Sequence, residues 1–462
     1  MQRCRLSRWD MHSRAQARSA GCAPSCDDEL KRWGMCVEAD RAYSKFEGNV
    51  KILFFSTDKY PAFRVDVAVL FGQELAGRGN RIDWILQSDA DCRRPYKTNW
   101  GGGEVTVGST DNGTTWWHRA RKHLLKLIND LRGMRKIGIN DYDVVLVKDE
   151  FVSAVPIALA TRLFGSKFVY WLSYPFPEAS LHRAREGTAR YRTLYLVRGY
   201  IYKWLLYNCI MPMADRVFVQ SEQMKADVVN EGICAAKLSA VPMGVCLAEM
   251  LKGIKKDEGD GLETGAGRKV VYLGTLSKVR RLDFLIRVFA RVLAEQPDAQ
   301  LVFVGKGDDR SDEELISKEA ERYGISRSVM MKGFLPMEEA WATVLECDVC
   351  VSPFYPTFIL NSTSPTKLIE YMALGRPVVA NDHPEQAAIL RESGGGICVP
   401  YDEEAFADAI IKLLRQRSAA LEMGRRGQRY IRKMRDYTVI AESVEKELEL
   451  VVKGEKGRCE AA

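Results

Sequence analysis

The stretch Asn49–Gln87, NVKILFFSTDKYPAFRVDVAVLFGQELAGRGNRIDWILQ, decides the fold. Ile52 to Ser56 is a short apolar run of the kind found in strands buried on both faces. After a turn containing Pro61, the residues Val65, Val69, Leu70 and Leu75 recur at roughly helical spacing. Gly77 and Gly79 stop that helix, and RIDWILQ (81–87) reads as the next strand. Strand, helix and strand in this order predict a parallel sheet with crossover helices.

The alternation continues with strands at DVVLVKD (143–149), KFVYWLS (167–173), RVFVQS (216–221) and LSAVPMG (238–244). Residues 247–268 then turn polar and glycine-rich, which reads as a linker. Beyond it the pattern restarts. Strands are predicted at 269–275, 300–307, 329–334, 348–353 and 377–382, with helices from Asp283, from about Asp312, at 338–346 and near Pro365. Phe406, Ala409, Ile410, Leu413 and Leu414 mark a later amphipathic helix. The expected architecture is α/β, with two Rossmann-like, doubly wound domains at 48–246 and 269–435. A C-terminal helix and tail, 436–462, are expected to pack back toward the first domain. Ligands of open parallel sheets sit at the carboxyl ends of the strands, so two such sheets face each other across a cleft.

A chain of 462 residues, 46% hydrophobic, can bury two cores of this size. The net charge of +7 is modest for that length. It argues against a dedicated nucleic-acid binder and suits an anionic small substrate or an anionic membrane surface. Residues 1–47 are arginine-rich and lack an apolar segment of signal-peptide length, so they read as a disordered leader. No apolar run reaches the ~18 residues of a spanning helix. Twelve cysteines include the pairs Cys22/Cys26 and Cys347/Cys350, but neither has a further Cys or Cys/His pair near it to complete a zinc site. Asp89 and Asp91, in a polar loop far along the chain from the candidate site, are set aside as metal ligands. No metal and no cofactor is expected.

The densest chemistry lies in NSTSPTKLIEYMALGRPVVAND (361–382). Pro365 stands where a helix can begin. Free amides at Thr366 and Lys367, with the helix dipole, would make an anion site, to which the Lys367 side chain adds a full charge. Glu370 follows in the second turn, where a carboxylate can accept hydrogen bonds from vicinal ribose hydroxyls. A nucleoside diphosphate requires phosphate and ribose sites in this relation; a surface pair on an ordinary helix is the alternative reading.

LIEYMALGRPVVA resembles the donor-binding signature of the family-four retaining glycosyltransferases of GT-B fold, including those of bacterial cell-envelope polysaccharide synthesis. VVYLGTLSKVRRLDFLIRVFARV, LVFVGKGDD, MKGFLP and ECDVCVSPF occur in the family's order, as do ADRVFVQSEQMKADVV and AVPMGV before the linker. The resemblance implies that Glu370 contacts the donor ribose. The helix beginning at Ser364, Pro365 and Thr366 would receive the diphosphate. Arg280 would neutralise the leaving group together with Lys367, in a loop that also holds Gly274, Thr275 and Lys278. Gly333, Phe334 and Leu335 would read the base. The family's earlier glutamate is replaced by Ser362, its basic residue after the loop glycine by Thr275, and its N-domain histidine by LSYPFPE. The resemblance also implies retention of anomeric configuration without a metal.

The acceptor is expected on the N-domain, at Tyr60, Arg64, Tyr174 and Glu178, with Tyr60 and Arg64 pointing into the cleft. Residues 115–136 and 192–213 mix basic, aromatic and aliphatic side chains in the manner of interfacial helices, with Trp116, Trp117, Tyr202 and Trp204 at headgroup depth. The chain is therefore expected to move a sugar from a nucleotide-diphosphate donor to a lipid-linked or glycan acceptor. The setting expected is cytoplasmic, on the inner face of the plasma membrane. A sugar-nucleotide epimerase of the same fold and a non-catalytic donor-binding partner are the alternatives.

Overall fold

The computed structural model describes residues 49–89, 92, 94–187, 189, 191–253 and 268–454. The leader 1–47, Asp91, most of the linker and the tail beyond 454 lie outside the described residues.

The first apolar run becomes β1 (Lys51–Tyr60), and RIDWILQ becomes β2 (Arg81–Ser88). Between them the predicted helix is α1, which begins at Val65–Ala68 and continues as a π-helical turn, Leu70–Leu75. The remaining strands of the first sheet are β3 (Tyr96–Trp100), β4 (Gly103–Gly108), β5 (Val144–Lys148), β6 (Lys167–Leu172), β7 (Arg216–Val219) and β8 (Leu238–Ala240). They run in the order β3-β4-β2-β1-β5-β6-β7-β8, with only β3 antiparallel to its neighbour. The β3–β4 hairpin escapes a periodicity reading because β3, YKTNW, is a polar and largely exposed edge strand.

The second sheet comprises β9 (Lys269–Leu273), β10 (Gln300–Val304), β11 (Val329–Met331), β12 (Val349–Ser352), β13 (Val378–Asn381) and β14 (Gly396–Val399). Its order, β11-β10-β9-β12-β13-β14, is that of a doubly wound dinucleotide-type sheet, with the reversal between β9 and β12. GICV at β14 is too short and too exposed to announce itself as a strand. Apolar clusters cover both faces of this sheet. One is built on α7 (Asp283–Glu295) and α12 (Glu403–Arg415), the other on α10 (Thr366–Ala373).

Residues Leu247–Gly253, read from composition as the start of the linker, form a helix instead. Leu247 and Met250 are buried in the second domain's core beside Val271 and Ile369. The chain passes between the domains twice, side by side: the Val245 amide donates to the Arg435 carbonyl (2.9 Å), and the Tyr437 amide to the Val245 carbonyl (3.0 Å). The final helix, α14 (Tyr437–Val452), lies against the first domain. Its Glu445 accepts from Arg78 (3.3 Å) and Asn80 (2.7 Å), and its Glu447 from Ser239 (3.0 Å). Cys347 and Cys350 are buried, and burial pushes the Cys347 thiol up to about 12, so both are core thiols rather than ligands.

Candidate active site

The reversal between β9 and β12 leaves a crevice at the carboxyl ends of the strands, where ligands of such sheets bind. Three loops lining it are stitched together. The Gly274 amide donates to the Val304 carbonyl (2.9 Å), the Leu276 amide to Lys306 (3.0 Å), and the Gly305 amide to Gly333 (2.8 Å). Gly274 and Gly305 have φ of 144° and 141°, and a Cβ on Gly305 would lie 2.0 Å from the Gly274 carbonyl oxygen, so only glycine allows this approach.

The helix α10 starts at the crevice, with Pro365 as its N-cap. One expectation needs correcting: the Thr366 amide is not free, since it donates to the Ser364 carbonyl at 3.1 Å. The Lys367 and Leu368 amides have no acceptor among the described residues, so the anion-binding end of the helix is shifted one residue inward.

The Lys367 side chain is buried and donates to the Tyr272 hydroxyl at 2.9 Å. Its ammonium lies 4.4 Å from the Tyr272 ring centre and 5.1 Å from that of Phe354. The Arg280 guanidinium lies 5.5 Å from the same Phe354 ring. Neither cation forms an ion pair with any described residue. Burial, with the Arg280 charge beside it, holds the Lys367 amine well below its ordinary range. Burial pushes the Glu370 carboxyl up to about 7, with the Lys367 charge opposing. Glu370 makes no side-chain hydrogen bond to a described residue. Two cations on one aromatic ring without a counter-ion repel each other, and a bound anion would relieve that repulsion.

Other residues named from the sequence fall around this centre with different fates. Thr275 is exposed, and its carbonyl accepts from the Tyr272 hydroxyl (3.2 Å). Lys278 turns away to the Ser311 hydroxyl (3.1 Å), while Arg281 is drawn to Asp283 (3.3 Å). Phe334 is 74% exposed on the loop at Gly333, a free aromatic face beside the crevice, whereas Leu335 packs on the core. Ser364 hydrogen-bonds Glu385 (3.0 Å).

On the N-domain, Tyr60 is a correction. It is buried and meets Trp100 edge-on at 6.3 Å instead of entering the cleft. Glu178 is another, because its carboxylate accepts from the Tyr207 hydroxyl (3.1 Å) within the helical layer. Arg64 belongs to a charged cluster where β1, β5 and β6 end. It bonds Asp66 (2.9 Å) and Ser173 (3.2 Å), and the fully buried Lys148 pairs with Asp58 (3.2 Å) and Asp66 (3.1 Å). Asp149, at φ 56°, accepts from the Ser173 hydroxyl and amide, and burial pushes its carboxyl up to about 6. Tyr174 is partly buried, and burial raises its phenol above the ordinary value, with the Arg183 charge and then the Arg280 charge opposing. Phe354 and this charged cluster were missed from sequence. The signal available was VKDE (147–150), charges placed directly after an apolar strand. Asp89 is exposed and paired with Lys59 at 2.7 Å.

The helix α2 (Trp116–Met134) exposes Trp116 and Trp117, stacked at 3.7 Å. A second helix, Arg192–Leu205, exposes Leu194, Val197, Ile201 and Trp204 along one stripe. Tyr202 instead stacks on Phe151 (4.8 Å), away from that stripe. No helix among the described residues is long and apolar enough to cross a membrane.

Comparison with known proteins bears on these features. Glycosyltransferase Family 4 matches residues 66–249, and Glycosyl transferases group 1 matches 254–430. The chain is 29% identical over 187 residues to the phosphatidyl-myo-inositol mannosyltransferase of Mycobacterium leprae, a match covering 40% of this chain and 47% of that relative. Among solved structures it resembles sucrose-phosphate synthase from Thermosynechococcus elongatus (TM-score 0.62, 18% identity, covering 88% of this chain and all of that one). It also resembles HepE from Anabaena in complex with UDP (TM-score 0.60, 15% identity, 87% and 100% covered). With a family match on each half and the two-domain fold these structures share, the chain belongs to the family-four glycosyltransferases of GT-B fold.

Proposed function

We propose that this enzyme is a retaining glycosyltransferase that moves a hexose from a nucleoside-diphosphate sugar to a lipid-linked or glycan acceptor, in cell-envelope polysaccharide synthesis on the inner face of the plasma membrane. The observation that carries the donor reading is the pair Arg280 and Lys367, two unpaired cations on the Phe354 ring at the start of α10. The UDP bound by HepE, a protein of the same fold, supports a nucleoside diphosphate there. The stripe at Leu194, Val197, Ile201 and Trp204 and the Trp116–Trp117 pair support an interfacial acceptor, as does the lipid named for the mycobacterial relative. Tyr174 and Arg64 remain the acceptor-side residues. The epimerase alternative loses support from His383, 4.8 Å from Phe354, because its Nε2 is spent on the Leu360 carbonyl (2.8 Å) and its Nδ1 on the Gln386 amide (3.4 Å).

The test is a calorimetric screen of nucleotide sugars followed by transfer to lipid-linked acceptors. Binding without transfer or donor hydrolysis would leave the non-catalytic partner reading in its place. Transfer is expected to survive EDTA, since two fixed cations stabilise the departing diphosphate. Activity lost with EDTA and restored by manganese would reject that account.

Glu370→Ala is expected to weaken donor binding by about 1.5–3 kcal/mol, the value of a hydrogen bond to a charged group. The sign of the pH effect follows from the raised carboxyl. Ribose hydroxyls favour the ionised form, so wild-type affinity should fall as pH drops below about 7, and the variant should lack that dependence. Unchanged nucleotide affinity in Glu370→Ala would remove this residue from the site.

A further inference from the structure

We propose that Asp227 and Ser362 form a latch across the cleft that holds the donor helix in register with the acceptor domain. Both would then be positioning residues for the transfer. The inference rests on the donor reading above.

The segment between β12 and α10 carries Phe354 and ends at Pro365, so its placement decides where the two cations stand. The first domain grips it at three points. The Ser221 hydroxyl donates to the Ser362 carbonyl (2.8 Å), the Ser362 hydroxyl donates to Asp227 Oδ2 (2.5 Å), and the Met243 amide donates to Ser364 Oγ (3.2 Å). Ser221 and Asp227 belong to one element, the N-cap and the sixth residue of the helix Glu222–Asn230. The Ser221 oxygen also accepts from the Met224 amide (3.0 Å), so a single hydroxyl closes that helix and holds the loop. Asp227 is itself fixed, because its other oxygen accepts from the Gln223 side chain at 2.9 Å.

On the far side Ser364 donates to Glu385 (3.0 Å), Glu385 pairs with Arg435 (2.9 Å), and the Arg435 carbonyl takes the Val245 amide. The loop before the donor helix is thus tied both to the acceptor domain and to the paired crossings between domains. Rotating one domain against the other must either break the charged bond at Asp227 or drag α10, with Lys367, along with it.

Ser362 is 1% exposed and its hydroxyl faces Asp227. A glutamate at this position would meet the Asp227 carboxylate in a filled site, where two like charges cannot both remain ionised. Serine at 362 and aspartate at 227 are therefore a matched pair.

The experiment is a double-mutant cycle with Ser362→Ala, Asp227→Ala and the double variant. For each, transfer turnover and donor affinity by calorimetry are measured, with melting temperature as a check on folding. Each single change is expected to lower turnover about tenfold while donor affinity moves less than about threefold, and the double variant should be no slower than the worse single. Additive losses, or wild-type turnover in either single variant, would overturn the latch. Small-angle scattering of the donor-free proteins separates the two readings. A wider radius of gyration is expected in all three variants, and an unchanged radius overturns the latch. A wider radius in variants of a protein that transfers no sugar overturns the transferase reading and leaves the latch standing.

Discussion

Arg280→Ala is expected to lower turnover about a hundredfold, a loss of roughly 3 kcal/mol, while donor affinity changes far less. The reason is the timing of charge. Negative charge on the departing phosphate rises as the sugar–phosphate bond breaks, so a cation aimed there stabilises the transition state more than the bound donor. The guanidinium is partly buried and lies over the Phe354 ring without a carboxylate partner, so its charge is available to the ligand. Arg280→Lys should recover only part of the loss, because an ammonium cannot make a two-pronged contact. The neighbouring Arg281 is the control: it is exposed and bonded to Asp283 at 3.3 and 3.4 Å, and its removal should cost little. Steady-state kinetics with the identified donor decide the matter. Wild-type turnover in Arg280→Ala would move the role to another residue of the 278–281 loop.

Lys367→Met should be more severe, reducing both donor affinity and turnover, with a combined loss of about a hundred- to a thousandfold in kcat/KM. Methionine nearly matches the lysine chain in length and can fill the space between Tyr272 and Phe354, so the loss reports the charge rather than a cavity. The pH dependence carries its own sign. In the free protein burial and Arg280 hold the amine low, and a bound diphosphate would raise it again. Donor binding therefore takes up a proton at Lys367, and affinity should fall as pH rises through the free-state value. Together with the acid limb from Glu370, this makes a bell-shaped affinity profile. Lys367→Met should remove the alkaline limb alone. A variant that keeps both limbs would show that Lys367 is not the titrating group.

Much of this architecture was legible before any coordinates. Runs such as ILFFS, DVVLVKD and KVVYLGT, each followed by a helical pattern, specify parallel strands with crossovers because burial on both faces demands uninterrupted apolar residues. SPTKLIEYMALG marked the helix α10 for a similarly local reason: proline at a helix start, a cation in the first turn and a carboxylate one turn on are fixed by sequence spacing alone.

What depended on partners far along the chain was not legible. Phe354 lies in a segment where nothing local distinguishes a core phenylalanine from one that supports two cations, and only the approach of the 278–280 turn to α10 decides it. Tyr60 read as a cleft residue because it follows the apolar run Ile52–Ser56, yet β1 extends through it and the unrecognised hairpin brings Trp100 against it and buries it. Thr366 lost its free amide to a carbonyl two residues back, a matter of loop conformation rather than residue type. Ser362, visible in sequence only as a missing glutamate, acquires its partner from a helix 135 positions earlier. Periodicity and spacing along one element determined the fold and the helix α10, whereas the partner of each polar side chain was decided by which elements the tertiary structure set beside it.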